Sequence, residues 1–201
     1  MKMLTLILLT FLSTSAFAQG QYFYLTLDFA KPLANTEWIG DMATRGARVG
    51  YRSFINDKIS AGLDLGWNTY DQYNPTETRE TGNTAITTDY FKYIYSYSAT
   101  VSGQYNFEVG EGDRFHPYAG LGLGAVNQQH AIYYNIYHDS ERSWGFLARP
   151  EAGILVRLSR YGSFGLMGAI HYDYSTNKSP KFNYGSFSAL GFQLGIVFIE
   201  L

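Results

Sequence analysis

Between Lys92 and Phe107 the chain splits into two unlike rows when every second residue is taken. One row is Tyr93, Tyr95, Tyr97, Ala99, Val101, Gly103, Tyr105 and Phe107; the other is Lys92, Ile94, Ser96, Ser98, Thr100, Ser102, Gln104 and Asn106. A period of two held over this length predicts a long β-strand with one apolar and one wet face. The same alternation, bounded by turn signals, recurs along the chain. It predicts eight strands, at residues 21–30, 45–54, 58–70, 90–107, 115–127, 144–158, 164–174 and 187–199. Most are longer than the 5–6 residues common in soluble sheets and reach the ~9–11 of a tilted membrane strand.

The connections alternate in length. "INDK" (55–58), "EVGEGDR" (108–114) and "SRYGS" (159–163) are compact and carry Asn, Gly and Asp where tight turns need them. Segments 31–44, 71–89, 128–143 and 175–186 are longer and are expected to be loops, with the Thr-rich run 76–88 solvated. Short turns at one end and long loops at the other predict an all-β, eight-stranded antiparallel up-and-down transmembrane β-barrel. Both chain ends then lie on the short-turn side.

The rows decide which face meets lipid. Every strand has a greasy row, such as Phe23, Leu25, Leu27, Phe29 or Ile59, Ala61, Leu63, Leu65, Trp67. The opposite rows carry nearly all of the in-strand charge: Asp28, Arg48, Arg52, Asp64, Lys92, Arg149, Glu151, Arg157, His171 and Asp173. They also carry many glycines, which weaken a solvated strand but leave room for long side chains in a narrow interior. An eight-stranded barrel has an interior just wide enough for side chains, so the large apolar rows would overfill it. They therefore face outward and the charged rows form a polar network in the lumen. Tyr93, Tyr95 and Tyr97 at one end of the fourth strand, Tyr105 and Phe107 at the other, with Trp67 on the third strand and Trp144 on the sixth, are read as the aromatic girdle. A soluble lipocalin-like barrel is the alternative reading.

Composition agrees with this picture. The 201 residues include 18 Tyr, 14 Phe and 21 Gly but only 16% charged residues. With 17 acidic against 15 basic residues, bulk charge attracts no nucleic acid. Residues 1–18 read as a cleaved signal peptide: Lys2, the apolar run 3–12, then the small-residue site "AFA" at 16–18. An uncleaved anchor helix is the alternative. Residues 19–201 form one barrel domain with no cysteine, so burial and hydrogen bonding alone must hold it.

At "HPYAGLGLGA" (116–125) and "GFQLGIVF" (191–198) the chain resembles the small outer-membrane β-barrel family that includes the membrane domain of OmpA and OmpX. The resemblance implies a bacterial outer-membrane location, a structural or surface-interaction role for the loops, and a last strand read by the assembly machinery. Leu190, Phe192, Leu194, Ile196 and Phe198 match that signal, although Ile199, Glu200 and Leu201 follow it. Expected partners are outer-membrane lipid and lipopolysaccharide, the assembly machinery and a loop ligand; the expected state is a monomer.

Candidate chemistry is sparse, and no enzyme activity and no cofactor are expected. The lumen charges read as a pairing core that blocks flow, with a gated small-solute or ion path as the functional alternative. "HYDYSTN" (171–177) is weakly similar to the His-x-Ser segment of lipid A deacylases, but the position two after His171 is Asp173, and Ser175 is four away. A nucleophile and base at that spacing are therefore not in place. The four histidines lack metal-ligand spacing. "GLGLG" (120–124) reads as strand, not as a nucleotide loop. Trp38, Tyr73, Phe182 and Tyr184 are read as loop-packing residues, with an adhesive surface as the alternative.

Overall fold

A computed structural model describes residues 20–81, 84–107, 114–134, 137–159 and 162–200. The expected signal peptide, most of the 108–114 turn and part of the 159–163 turn lie outside the described residues. Eight strands are present: β1 (Gln21–Pro32), β2 (Arg45–Phe54), β3 (Ile59–Thr81), β4 (Thr84–Asn106), β5 (Phe115–Tyr134), β6 (Tyr137–Arg157), β7 (Phe164–Ser175) and β8 (Phe187–Glu200). Each pairs antiparallel with the next, and β1 closes onto β8 from Gln21↔Glu200 to Pro32↔Ala189. Closure leaves the membrane-embedded wall without an edge, so every strand there finds backbone partners on both sides.

Two of the expected loops are strand instead. β3 and β4 stay paired as far as Thr81↔Thr84, and β5 and β6 as far as Tyr134↔Tyr137, so 71–81, 84–89, 128–134 and 137–143 extend the sheet rather than leave it. Beyond the bilayer both faces of a strand can be wet, so the apolar-polar contrast fades while the neighbouring strand still supplies the hydrogen bonds. Thr and Tyr suit such strands. Segments 33–44 and 176–186 do connect as loops, with Asn35 and Asn183 at positive φ (54° and 53°) and a short 3-10 turn at Pro180–Phe182.

The rows divide as the alternation requires. Phe23, Leu27, Leu63 and Ile170 stand 49%, 60%, 60% and 64% exposed on the outside while Arg48, Arg52 and Asp28 are buried. Inside, two apolar clusters lie at opposite ends. Tyr22, Tyr24, Tyr118, Leu155, Met167, Val197 and Ile199 gather at the end holding the chain termini. Ile39, Ala43, Tyr70, Ile94, Tyr184 and Phe187 gather at the other, against Trp38. Asp28, Arg48, Arg52, Asp64, Arg149, Glu151, His171 and Asp173 lie between them.

Candidate functional site

The interior charges form two connected groups. In the first, Arg52 on β2 grips Asp64 on β3 with both guanidinium nitrogens, Nη1 to Oδ1 at 2.5 Å and Nη2 to Oδ2 at 3.0 Å. Asp64 also accepts hydrogen bonds from Ser102 (2.5 Å), Thr100 (3.3 Å) and the Tyr24 hydroxyl. Glu151 continues the chain, accepting from Gln104 Nε2 at 2.8 Å and Gln193 Nε2 at 3.3 Å, with Arg52 at 4.0 Å. The Tyr22 hydroxyl donates to Gln104 Oε1 at 2.5 Å. A buried charge costs several kcal/mol unless paired and hydrogen-bonded, and here each carboxylate has several partners.

The second group centres on Asp28. Arg149 Nη2 donates to its Oδ2 at 2.9 Å, His171 Nε2 lies 2.8 Å from Oδ1, and Arg48 Nε lies 3.7 Å from Oδ2. Arg149 Nη1 also reaches Asp173 at 3.4 Å, and Asp173 lies 3.5 Å from His171 Nδ1. Lys92 and Arg157 lie toward the two mouths. Lys92 donates to the Glu37 carbonyl and stands about 6.0 Å from the Trp38 ring at the outer end; Arg157 lines the opposite mouth beside Tyr22 and His116.

Alternation alone does not single out Tyr22, Tyr24, Ser102, Gln104 and Gln193, the neutral groups that complete the network. Their only sequence signal is that they share the inward parity of the charged positions. Glycines make the space: a Cβ at Gly50 would stand 2.3 Å from both Asp64 Oδ1 and the Tyr24 ring.

A small cavity of about 10 Å³ lies beside the second group, lined by Arg48, Asn68, Gln128, Asp173 and Ser175 among others. Arg48 Nε and Nη1, Asn68 Nδ2, Gln128 Nε2 and Oε1, Asp173 Oδ1 and Ser175 Oγ are buried there without a protein hydrogen-bond partner. The space is no larger than a single water molecule needs.

The girdle positions all point outward. Trp67, Tyr97, Asn127 and Trp144 occupy one transverse row of paired residues across β3–β6. Trp67 is 41% and Trp144 74% exposed. Tyr105 and Phe107 are exposed near the terminal end, and Tyr93 and Tyr95 are half-buried by their own stacking. Leu190, Phe192, Leu194, Ile196 and Phe198 are exposed along β8. His171, Asp173 and Ser175 all point into the lumen, where they are buried and face no lipid.

Loop side chains gather at the outer mouth. Trp38 packs on His130 (5.2 Å between ring centres), Phe182 (5.6 Å) and Tyr184 (5.8 Å), so these loop aromatics pack together while Tyr73 stays exposed. Burial holds His130, which lies beyond the girdle row, down at a pKa of about 4, with Glu141 opposing the shift. Burial likewise raises the Tyr184 hydroxyl. Among the described residues no group of three or more His, Cys, Asp or Glu could hold a metal ion.

Comparison with known proteins bears on the wall. A family model described as the outer membrane protein β-barrel domain matches residues 4–198. Neisserial surface protein A is similar in structure at 15% identity and a TM-score of 0.54, over 89% of this chain and 96% of that one. Ail, the attachment invasion locus protein of Yersinia pestis, is similar at 12% identity and a TM-score of 0.49, over 90% and 96%. OprG of Pseudomonas aeruginosa is similar at 15% identity and a TM-score of 0.48, over 90% and 96%. No curated protein matches the chain.

Proposed function

The chain belongs to the outer membrane protein β-barrel family, and from that premise we propose that it is a non-enzymatic barrel of the bacterial outer membrane, sealed along its lumen, that acts through the sheet it raises above the bilayer. The observation that carries this reading is the continuation of β3–β6 past the girdle row to Thr81, Thr84, Tyr134 and Tyr137. A barrel needs only ~9–11 residues per strand to cross the bilayer, so this extension is not required for anchoring. The sealed lumen is supported by the two apolar end clusters and the paired charges between them. The non-enzymatic reading rests on the inward burial of His171 and Ser175, which keeps both away from a lipid ester.

A narrow pore is the second reading. What favours it is the small polar cavity beside Arg48 and Asp173, whose buried polar atoms lack protein partners and which would lengthen if the outer Trp38 cluster moved. Planar-bilayer recording separates the two. An electrically silent barrel, together with loss of cell-surface binding when 71–89 and 128–143 are shortened, fits the proposal. Steady unitary conductance that changes with Arg149→Ala overturns the sealed lumen.

A further inference from the structure

The raised sheet has two edges, two faces and one surface left open. Along β3 the edge is interrupted by Pro75 and by a register shift between Asn74 and Glu77, devices that discourage strand addition. Along β6 the edge is clasped by the 176–181 segment: Thr176 N donates to the Phe146 carbonyl at 3.0 Å, Asn177 Nδ2 donates to the Ser143 carbonyl at 2.9 Å, and Lys181 pairs with Asp139. The inner face is covered at its base by Trp38 and Tyr184. The outer face is open and aromatic.

On that face Tyr73, Phe91, Tyr133 and His138 form one transverse row across β3–β6. Ring centres lie 5.1 Å apart for Tyr73–Phe91 and 5.8 Å for Tyr133–His138, and Tyr93 joins Phe91 to Tyr133 at 6.3 Å and 5.4 Å. Tyr95 stacks on Tyr93 at 5.5 Å and leads down to Tyr97 in the girdle row. Tyr73 and Phe91 are 54% and 40% exposed. Large exposed aromatic surface above a membrane calls for a partner.

Height identifies that partner. From Tyr97 to Phe91 the strand advances about 20 Å, or roughly 15 Å of height at the usual barrel tilt. An ordinary phospholipid headgroup layer is only about 5–8 Å deep. The patch is continuous with the lipid-facing wall yet too tall for such headgroups. Two cations flank it in the row above the girdle: Arg45, held by Asp71 at 2.8 Å, and Arg142, which donates to Gln129 at 2.8 Å.

We propose that the outer face of β3–β6 above the girdle docks the oligosaccharide headgroup of an outer-leaflet glycolipid. Sugar rings lie on Phe91, Tyr93 and Tyr133, and acidic groups on the same headgroup meet Arg45 and Arg142. The proposal rests on the reading that this sheet stands outside the membrane.

The test reconstitutes the whole barrel in vesicles of phosphatidylcholine alone, with lipid A lacking core sugars, or with lipid A carrying its core oligosaccharide. The temperature at which the folded band converts on an unboiled gel is read in each. Core-bearing lipid raises that temperature by about 5–10 °C when present at a hundredfold excess over its Kd. Phe91→Ser with Tyr133→Ser removes the rise, read as the difference between core-bearing lipid and phosphatidylcholine for that same variant, whose baseline falls because four ring contacts are lost. Equal values with and without core sugars overturn the proposal, as does a rise retained by the double variant. A full rise from core-less lipid A overturns it in favour of phosphate contacts alone, and a full rise from free core oligosaccharide overturns the lipid-anchored source. A conducting barrel would refute the sealed lumen without moving this comparison.

Discussion

Arg52 and Asp64 meet through two parallel contacts, at 2.5 Å and 3.0 Å, inside the barrel wall and out of reach of water. Removing one partner strands the other. Asp64→Asn is therefore expected to cost about 3–5 kcal/mol, whereas Arg52→Met with Asp64→Leu together costs much less, because no buried charge is left alone. Urea unfolding of the detergent-folded barrel, followed by gel mobility, measures both. A double variant as unstable as the single one would mean that the pair is not the unit of stability.

The strand glycines divide into two kinds. A Cβ at Gly50 would collide with Tyr24 and Asp64, so Gly50→Ala is expected to lower the unfolding midpoint by an amount equivalent to about 1–3 kcal/mol. Gly103 faces outward on β4, and a Cβ there meets nothing within 4 Å. Gly103→Ala should leave the midpoint unchanged or raise it slightly, since alanine suits a strand better than glycine.

Pro150 interrupts the wall. The pairing of β6 with β7 passes from Ala148↔Tyr174 directly to Glu151↔His171, with no partner at Arg149 or Pro150. Proline has no N–H to give, and an unmet backbone group facing hydrocarbon costs several kcal/mol. Pro150→Val is expected to slow amide exchange at Tyr172 and raise the unfolding midpoint. Exchange no slower than in the parent barrel would show that the gap is closed by other contacts.

The outer cluster should loosen in acid. His130 holds its proton only below about pH 4 in the folded barrel, against an ordinary value near 6.5. Between these values the unfolded chain binds the proton and the folded chain does not. Stability present above about pH 6.5 is thus lost as the pH falls toward 4, by roughly 3 kcal/mol in all. Trp38 fluorescence reports it directly once Trp67 and Trp144 are replaced by Phe, and His130→Phe should abolish the pH dependence.

Tyr93 and Asp64 illustrate what could be read from sequence. Their alternating neighbours assign each to a wall face, because a pleated strand sends successive side chains to opposite sides and an eight-stranded lumen cannot hold both rows. The continuation of β3 beyond Asp71 could not be read this way. Where both faces are wet, Thr and Glu alternate without contrast, and only the partner strand decides that the backbone stays extended.

The sequence by itself therefore determined the barrel, its strand number and which rows meet lipid, since these follow from local periodicity, side-chain volume and the cost of unpaired backbone in a bilayer. Tertiary structure alone decided that Arg52 meets Asp64 rather than Glu151 most closely and that Asp28 gathers Arg149 and His171. It also decided that Tyr73, Phe91 and Tyr133 share one row. Those contacts depend on strand register between segments far apart in the chain, which no local pattern encodes.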